Sequence, residues 1–114
     1  MTWEELKQFL IGKTFLIGLT FIDQDKKVIE QYQTSGKVDE LADDGIFKFR
    51  RFDNSIFQLP YDTKTIREAK EGEYRERETG NIIVNPEYIT TWEIVIHNTK
   101  NIENMKLKGY VPEE

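Results

Sequence analysis

The feature that most restricts the fold of this chain is its excess of β-branched residues over alanine. The 114 residues include 13 Ile, 5 Val and 10 Thr against 2 Ala. β-Branched side chains suit the pleated, half-buried surface of a sheet and lower helix propensity. Apolar residues also alternate with a period of two, first at Phe15, Ile17, Leu19 and Phe21. Composition and periodicity together predict a mainly β chain.

One helix is predicted ahead of the strands. Thr2 and Glu5 have the spacing of a capping box, and Gly12 supplies a left-handed stop. Apolar residues between them recur on one helical face. Residues 3–11 are therefore predicted to form a short amphipathic helix that covers one end of the sheet.

Six or seven short antiparallel strands are predicted, separated by turns roughly every 6 to 12 residues. A closed sheet leaves no edge for pairing with another copy, which favours a small SH3-like or Sm-like barrel, or a strongly bent sheet. The alternative is an α+β roll with one sheet and two helices. The predicted strands are Thr14 to Ile22, Val28 to Thr34 with a continuation from Lys37 to Leu41 past a bulge, Ile46 to Phe52, Ile56 to Leu59, Glu73 to Glu78, Ile82 to Val84 and Tyr88 to His97, with a helical turn over Asp62 to Ala69.

The length of the chain accommodates one domain, residues 1–114. We expect the helix over 3–11, the barrel over 14–97 and a loosely held tail over 98–114. No leader-like start and no membrane-spanning apolar stretch is recognised, so a cytoplasmic protein that does not enter a membrane is expected.

Composition argues against most catalytic and nucleic-acid-binding classes. The absence of cysteine excludes disulfides and thiolate sites, and the single His97 leaves no His-rich metal cluster. No cofactor or metal is expected. The 21 acidic against 16 basic residues give a net charge of −5, which argues against duplex nucleic acid or a membrane surface as the main partner.

One acidic segment stands out as a candidate interaction site. Four acids and no base lie between Val38 and Ile46. Such a negative knob would steer a basic protein partner by long-range attraction. The predicted partner-binding residues are these acids and two aromatic anchors, namely Asp39, Glu40, Asp43, Asp44, Tyr61 and Tyr88.

A small hydrolase or isomerase is one alternative. It would use His97 with Asp62 or Glu87 in a pocket at the barrel mouth. This alternative requires His97 to lie within hydrogen-bond reach of one of those carboxylates.

A single-stranded RNA module is another alternative. Phe47, Phe49 and Arg50 belong to a segment in which aromatic and basic residues interleave, as on sheets that stack bases. It requires both phenylalanine rings to face solvent, and the acidic charge of the chain makes nucleic acid a disfavoured partner. The charged edge predicted over residues 73–78 also offers a surface for a homodimer.

Five short segments of the chain carry a resemblance, namely Leu59-Pro60-Tyr61-Asp62, Gly72-Glu73-Tyr74, Thr79-Gly80, Asn85-Pro86-Glu87-Tyr88 and Thr90-Thr91-Trp92. On these segments the chain resembles a group of small uncharacterised bacterial proteins over about residues 14 to 96. In size, acidity and lack of cysteine it further resembles, in general character, immunity proteins that neutralise a secreted toxin. These resemblances imply no catalytic residue or cofactor, and favour a non-enzymatic protein-binding domain, with inhibition of a basic toxin as its specific form.

Overall fold

The computed structural model of the chain describes residues 2–111. The predicted domain and tail extend past this range at Met1 and at residues 112–114, which lie outside the described residues. The prediction of a mainly β chain with an N-terminal helix is confirmed. Its elements are α1 (Trp3–Leu10), β1 (Thr14–Ile22), β2 (Val28–Leu41), β3 (Ile46–Arg50), β4 (Ile56–Pro60), a 3-10 turn (Thr63–Thr65), β5 (Ile66–Glu68), β6 (Glu73–Arg75), β7 (Ile82–Val84), β8 (Tyr88–Val95) and α2 (Lys100–Lys108).

Helix α1 begins at the capping box that the sequence contains. The Thr2 side chain accepts the Glu5 N–H at 3.1 Å, and the Glu5 carboxylate accepts the Thr2 N–H at 3.4 Å. These two bonds satisfy donors that a helix start leaves free. Leu10 enters the core, and Gly12 (φ +82°) turns the chain into β1.

Six strands form one mixed sheet in the order β4-β3-β2-β1-β8-β5, and β6 pairs with β7 in a separate hairpin. The expectation of purely antiparallel strands is wrong at β1 and β8, which run parallel with Phe15 opposite Tyr88. Local periodicity locates strands but carries no information on the direction of a partner distant in sequence. The pairings between residues 2 and 111 do not join β4 to β5, so closure into an SH3-like or Sm-like barrel is not confirmed.

The long strand β2 connects the two halves of the sheet. Its residues Val28–Lys37 pair with β1, and Lys37–Leu41 pair with β3. Gly36 lies just before this change of partner, and a Cβ there would come within 2.9 Å of the Phe49 Cβ. Glycine at this position therefore lets β3 approach β2 closely.

The core lies on one face of the sheet and is rich in phenylalanine. The Phe15 ring of β1 meets the Phe49 ring of β3 at 5.2 Å between centroids, although a whole strand separates them. Both helices contribute to this face through Leu10 and Ile102. The buried core residues are Leu10, Phe15, Ile17, Leu19, Phe21, Val38, Leu41, Phe47, Phe49, Phe57, Leu59, Ile94, Ile96 and Ile102.

The structure has a helix, α2, in the segment predicted to be a loosely held tail. Ile102 is buried in the core, and the chain after the helix bonds to the edge of β4 through the Tyr110 N–H and the Gln58 carbonyl at 2.9 Å. Gly109 (φ +92°) lies directly against the Gln58 backbone, and a Cβ at this position would overlap it. The tail segment described to Val111 thus covers one edge of the sheet. The sequence signal was weak because few apolar side chains of α2 are buried.

Several element ends also differ from prediction. The strand expected over 46–52 ends at Arg50, that over 73–78 ends at Arg75, and that over 88–97 ends at Val95. The helical turn expected over 62–69 is only the 3-10 turn Thr63–Thr65, followed by β5.

Candidate functional site

A groove of about 570 Å³ lies beside the point where β2 passes from β1 to β3. Its walls come from four parts of the chain: the end of α1, the middle of β2, the end of β3 with the turn that follows it, and strand β7. The residues that define this groove are Ile11, Gly36, Arg50, Phe52, Ile82 and Val84.

Large apolar side chains converge on the groove while staying exposed. Phe52 is 66% exposed and Val84 62%, and Ile11 and Ile82 are each about half exposed. Single exposed apolar residues are ordinary on a soluble protein, whereas several around one concavity mark an interaction surface. The groove therefore has the character of a contact site for apolar side chains.

A well-bonded turn holds Phe52 at the groove. The Arg51 N–H donates to the Ser55 carbonyl at 3.0 Å, and Asn54 adopts a left-handed conformation (φ +68°). The Asp53 carboxylate accepts both the hydroxyl and the backbone N–H of Ser55. These hydrogen bonds lower the pKa of Asp53. The turn thus presents Phe52 from a fixed backbone.

Arg51 ties this turn to α2. Its guanidinium donates to the Lys106 carbonyl at 3.0 Å and to the Leu107 carbonyl at 2.7 Å. It also donates to the Tyr32 hydroxyl at 3.2 Å and to Ser55 Oγ at 2.9 Å. A helix leaves its last carbonyls without internal partners, so one arginine satisfies the end of α2.

Two of the four acids of the predicted negative knob lie on β2 and have basic partners on β3. Asp39 pairs with Arg50 at 3.2 Å, and Glu40 pairs with Lys48 at 3.3 Å. Asp39 also lines the groove. The four side chains remain substantially exposed, so these pairs reduce the local charge without burying it.

The remaining two predicted acids lie in the turn between β2 and β3. Asp43 pairs with Lys7 of α1 at 2.6 Å, and Asp44 accepts the Ile46 N–H at 3.1 Å. The hydrogen bond and charge of Lys7 lower the pKa of Asp43, and the hydrogen bond to Asp43 raises the pKa of Lys7. The fold therefore brings bases to an acidic segment that contains none of its own.

The two predicted aromatic anchors are half-buried and lie in different places. Tyr61 packs against Trp3 and Phe47, and its N–H donates to Gly45 of the acidic turn at 2.8 Å. Tyr88 lies on β8 and packs against the core ring of Phe15. Only Tyr61 adjoins the acids, so the structure does not bring all six predicted residues together.

The residues of the enzyme alternative are also separate. His97 is exposed, and its Nδ1 lies 2.8 Å from Gln24 Nε2. Glu87 accepts the Thr14 N–H at 2.6 Å, while Asp62 caps the 3-10 turn by accepting the Lys64 N–H. No described hydrogen bond joins His97 to either carboxylate, so the pair that this alternative requires is not formed in residues 2–111.

The aromatic residues of the RNA alternative point into the core. Phe47 is 2% exposed and Phe49 is fully buried, while Arg50 lies on the surface beside Asp39. Bases stack only on rings that solvent can reach. The segment is therefore an amphipathic strand, and its rings offer no stacking platform.

Comparison with protein families, curated proteins and solved structures found no match. The resemblances drawn from the sequence therefore stay predictions. Within the described range, no helix is long and apolar enough to span a membrane. The same residues contain no cluster of three or more His, Cys, Asp or Glu side chains arranged to hold a metal ion.

The charged strand predicted over residues 73–78 is exposed only in part. Glu73 and Arg75 are exposed on β6, but Glu76 is buried. The strand that remains is three residues long. Self-association through it stays a prediction, and light scattering tests it by a mass about twice the 13.5 kDa of one chain.

The groove itself was not predicted, although the sequence holds two signals for it. In Phe47–Phe52, two consecutive arginines break the period of two, which places Phe52 outside the alternation that buries Phe47 and Phe49. In Ile82–Val84, three apolar residues in a row occupy a strand that buries only Ile83. An apolar residue outside the local period is the signal that points to an exposed surface.

Proposed function

We propose that this chain is a non-enzymatic domain that binds a protein partner through the groove. The convergence of exposed apolar side chains on a concave surface carries the proposal. Burial of Phe52 and Val84 against a partner would remove a large apolar area from water, and such central anchors dominate the energy of protein interfaces.

The charge of the chain supports a basic partner. The net charge is −5, and one of the four predicted acids Asp39, Glu40, Asp43 and Asp44, namely Asp39, lines the groove. Exposed acids at a rim raise the association rate of a basic partner more than they strengthen the final complex. Neutralisation of a basic toxin domain is the specific form that we propose.

Site-specific photocrosslinking tests the binding proposal. A benzophenone amino acid replaces Phe52 in cells of the source organism, and a matched chain carries it at Val95, which is exposed on β8 and lines a different cavity. We expect one discrete crosslinked protein at position 52 and not at position 95. The same products at both positions would contradict the proposal.

Reconstitution with the purified crosslinked protein completes the test. We expect Phe52→Asp to weaken binding at least 30-fold and Val95→Asp to change it less than threefold. Toxin neutralisation further requires that the partner expressed alone arrests growth and that the wild-type chain restores it. A harmless partner would leave protein binding in place and exclude the toxin.

A further inference from the structure

Strand β2 has an edge with no strand partner, although it lies inside the sheet. Its whole length is Val28–Leu41, but β3 pairs with it only from Lys37 onward. Among residues 2–111, the segment Val28–Gly36 therefore has a strand on the β1 side alone. An edge of this kind is a template for an additional strand.

Alternation along the strand identifies the backbone groups that face this edge. Val38 bonds on the β1 side, because it accepts from the Gly12 N–H and donates to the Lys13 carbonyl, both at 2.9 Å. In an antiparallel pair, successive residues direct their backbone groups to opposite sides. Thr34 and Gly36 therefore face β1. Gln33 and Ser35 face the unpaired edge.

Open space follows this edge on both sides of Phe52. One cavity, of about 500 Å³, is lined by Tyr32 and Thr34 together with the buried Glu76. The groove of about 570 Å³ is lined by Ser35 and Gly36. Arg51 and Phe52 line both spaces. An extended segment laid along β2 would occupy them in succession.

Charge at one end of this path fixes the chemistry of its occupant. Glu76 is 7% exposed, accepts hydrogen bonds from the Ser35 and Thr79 hydroxyls, and has no ion pair within the described part of the chain. The bases that line the same cavity are engaged, since Arg51 caps α2 and Lys106 pairs with Glu30 and Glu103. A buried carboxylate gains most from a cation brought to it in a dry site.

We infer that the Val28–Gly36 edge accepts an extended, basic segment of the partner as an added strand. A Lys or Arg side chain of that segment lies opposite Glu76, and an apolar side chain packs over Phe52. This inference rests on the proposed protein-binding function, and it adds the binding mode and the chemistry of the bound segment.

Selection from a random 12-residue peptide display library against the full chain tests the inference. We expect selected peptides to carry Lys or Arg near an apolar residue and to bind with dissociation constants of roughly 1–100 µM. N-methylation of a peptide amide that pairs with β2 should weaken binding at least tenfold, whereas methylation of the next amide should have little effect.

Variants of the chain test the cation. Glu76→Gln should weaken basic peptides about five- to tenfold and leave analogues with norleucine at the basic position unchanged. Glu78 is exposed and, like Glu76, follows β6, so Glu78→Gln is the matched control. It should change the affinity of neither the basic peptides nor the norleucine analogues. Hydrogen exchange should show new protection of the Gln33 and Ser35 amides on peptide binding, while Thr34 is protected already.

Each failure has a distinct meaning. If the library yields no peptide, or if methylation at every position is tolerated, strand addition is wrong, while a crosslink at Phe52 still supports protein binding. If the free chain is dimeric and its Gln33 and Ser35 amides are protected without peptide, the occupant is a second copy and the basic partner segment is excluded.

Discussion

The acidic segment meets the groove only at Asp39, and the side chains of these two regions differ in whether they have partners within the chain. Three of the four predicted acids find basic partners within the chain, while the apolar residues of the groove find none for their exposed surface. Adjacent arginines divide the same way. Arg50 forms an exposed ion pair with Asp39, and Arg51 donates hydrogen bonds to the last carbonyls of α2. Unsatisfied apolar area is therefore a better guide to a contact surface here than a local excess of charge.

The largest expected effect separates these two arginines. Arg51→Met removes four hydrogen bonds, two of them to the last carbonyls of α2, and should lower the free energy of unfolding by about 2–4 kcal/mol. Arg50→Met removes an exposed ion pair with Asp39 and an exposed hydrogen bond to the Asn54 carbonyl, and should lower it by about 1 kcal/mol. Urea unfolding followed by circular dichroism measures both. Equal losses would contradict the division of roles.

Binding kinetics give the next contrast, measured with the partner crosslinked at position 52. Phe52→Ala should raise the dissociation rate about 30-fold, because it removes a central anchor. Reversal of Asp39, Glu40, Asp43 and Asp44 to Lys should instead lower the association rate about tenfold at low salt, with little effect at 0.5 M salt. Circular dichroism first establishes that both variants are folded. If charge reversal of the four acids instead raised the dissociation rate about as much as Phe52→Ala does, the central contact would lie at the acids and not at the groove.

Local rules were enough to predict much of the fold. The capping box of α1, the bounds of β1 and the position of β7 depend on residues close together in the chain. The parallel pairing of β1 with β8 joins residues more than 70 positions apart, which no local period encodes. Helix α2 was missed because its apolar face is narrow and its attachment depends on Arg51, far from it in sequence.

The contrast between contacts close in sequence and contacts far apart also explains which parts of the candidate site could be predicted. The acids at 39–44 were visible as a run without bases, but Lys7, which neutralises Asp43, lies 36 residues away. The exposure of Phe52 depends on a turn held by Ser55 and on an arginine bound to another helix. Sequence identifies which residues carry charge or apolar area, and only the fold decides which of them remain without a partner.

The smallest expected effect tests the exposed pair of Asp43 and Lys7 through its pH dependence. The folded pKa of Asp43 is lowered, so its contribution to stability is complete above its ordinary value of 3.8 and is lost as the pH falls through the folded value. The folded pKa of Lys7 is raised, so its contribution is complete below 10.5 and is lost as the pH rises through the folded value.

The difference in urea midpoint between wild type and Asp43→Asn should thus be constant at neutral pH and shrink at both extremes. Salt at 1 M should remove most of it, because both groups are exposed. Asp25→Asn, an exposed change at an acid without an ion pair among residues 2–111, is the control and should change the urea midpoint little at neutral pH. A difference that persists at pH 2 or in high salt would mean that Asp43 stabilises the turn through its shape, and the paired-charge account of the acidic segment would fail there.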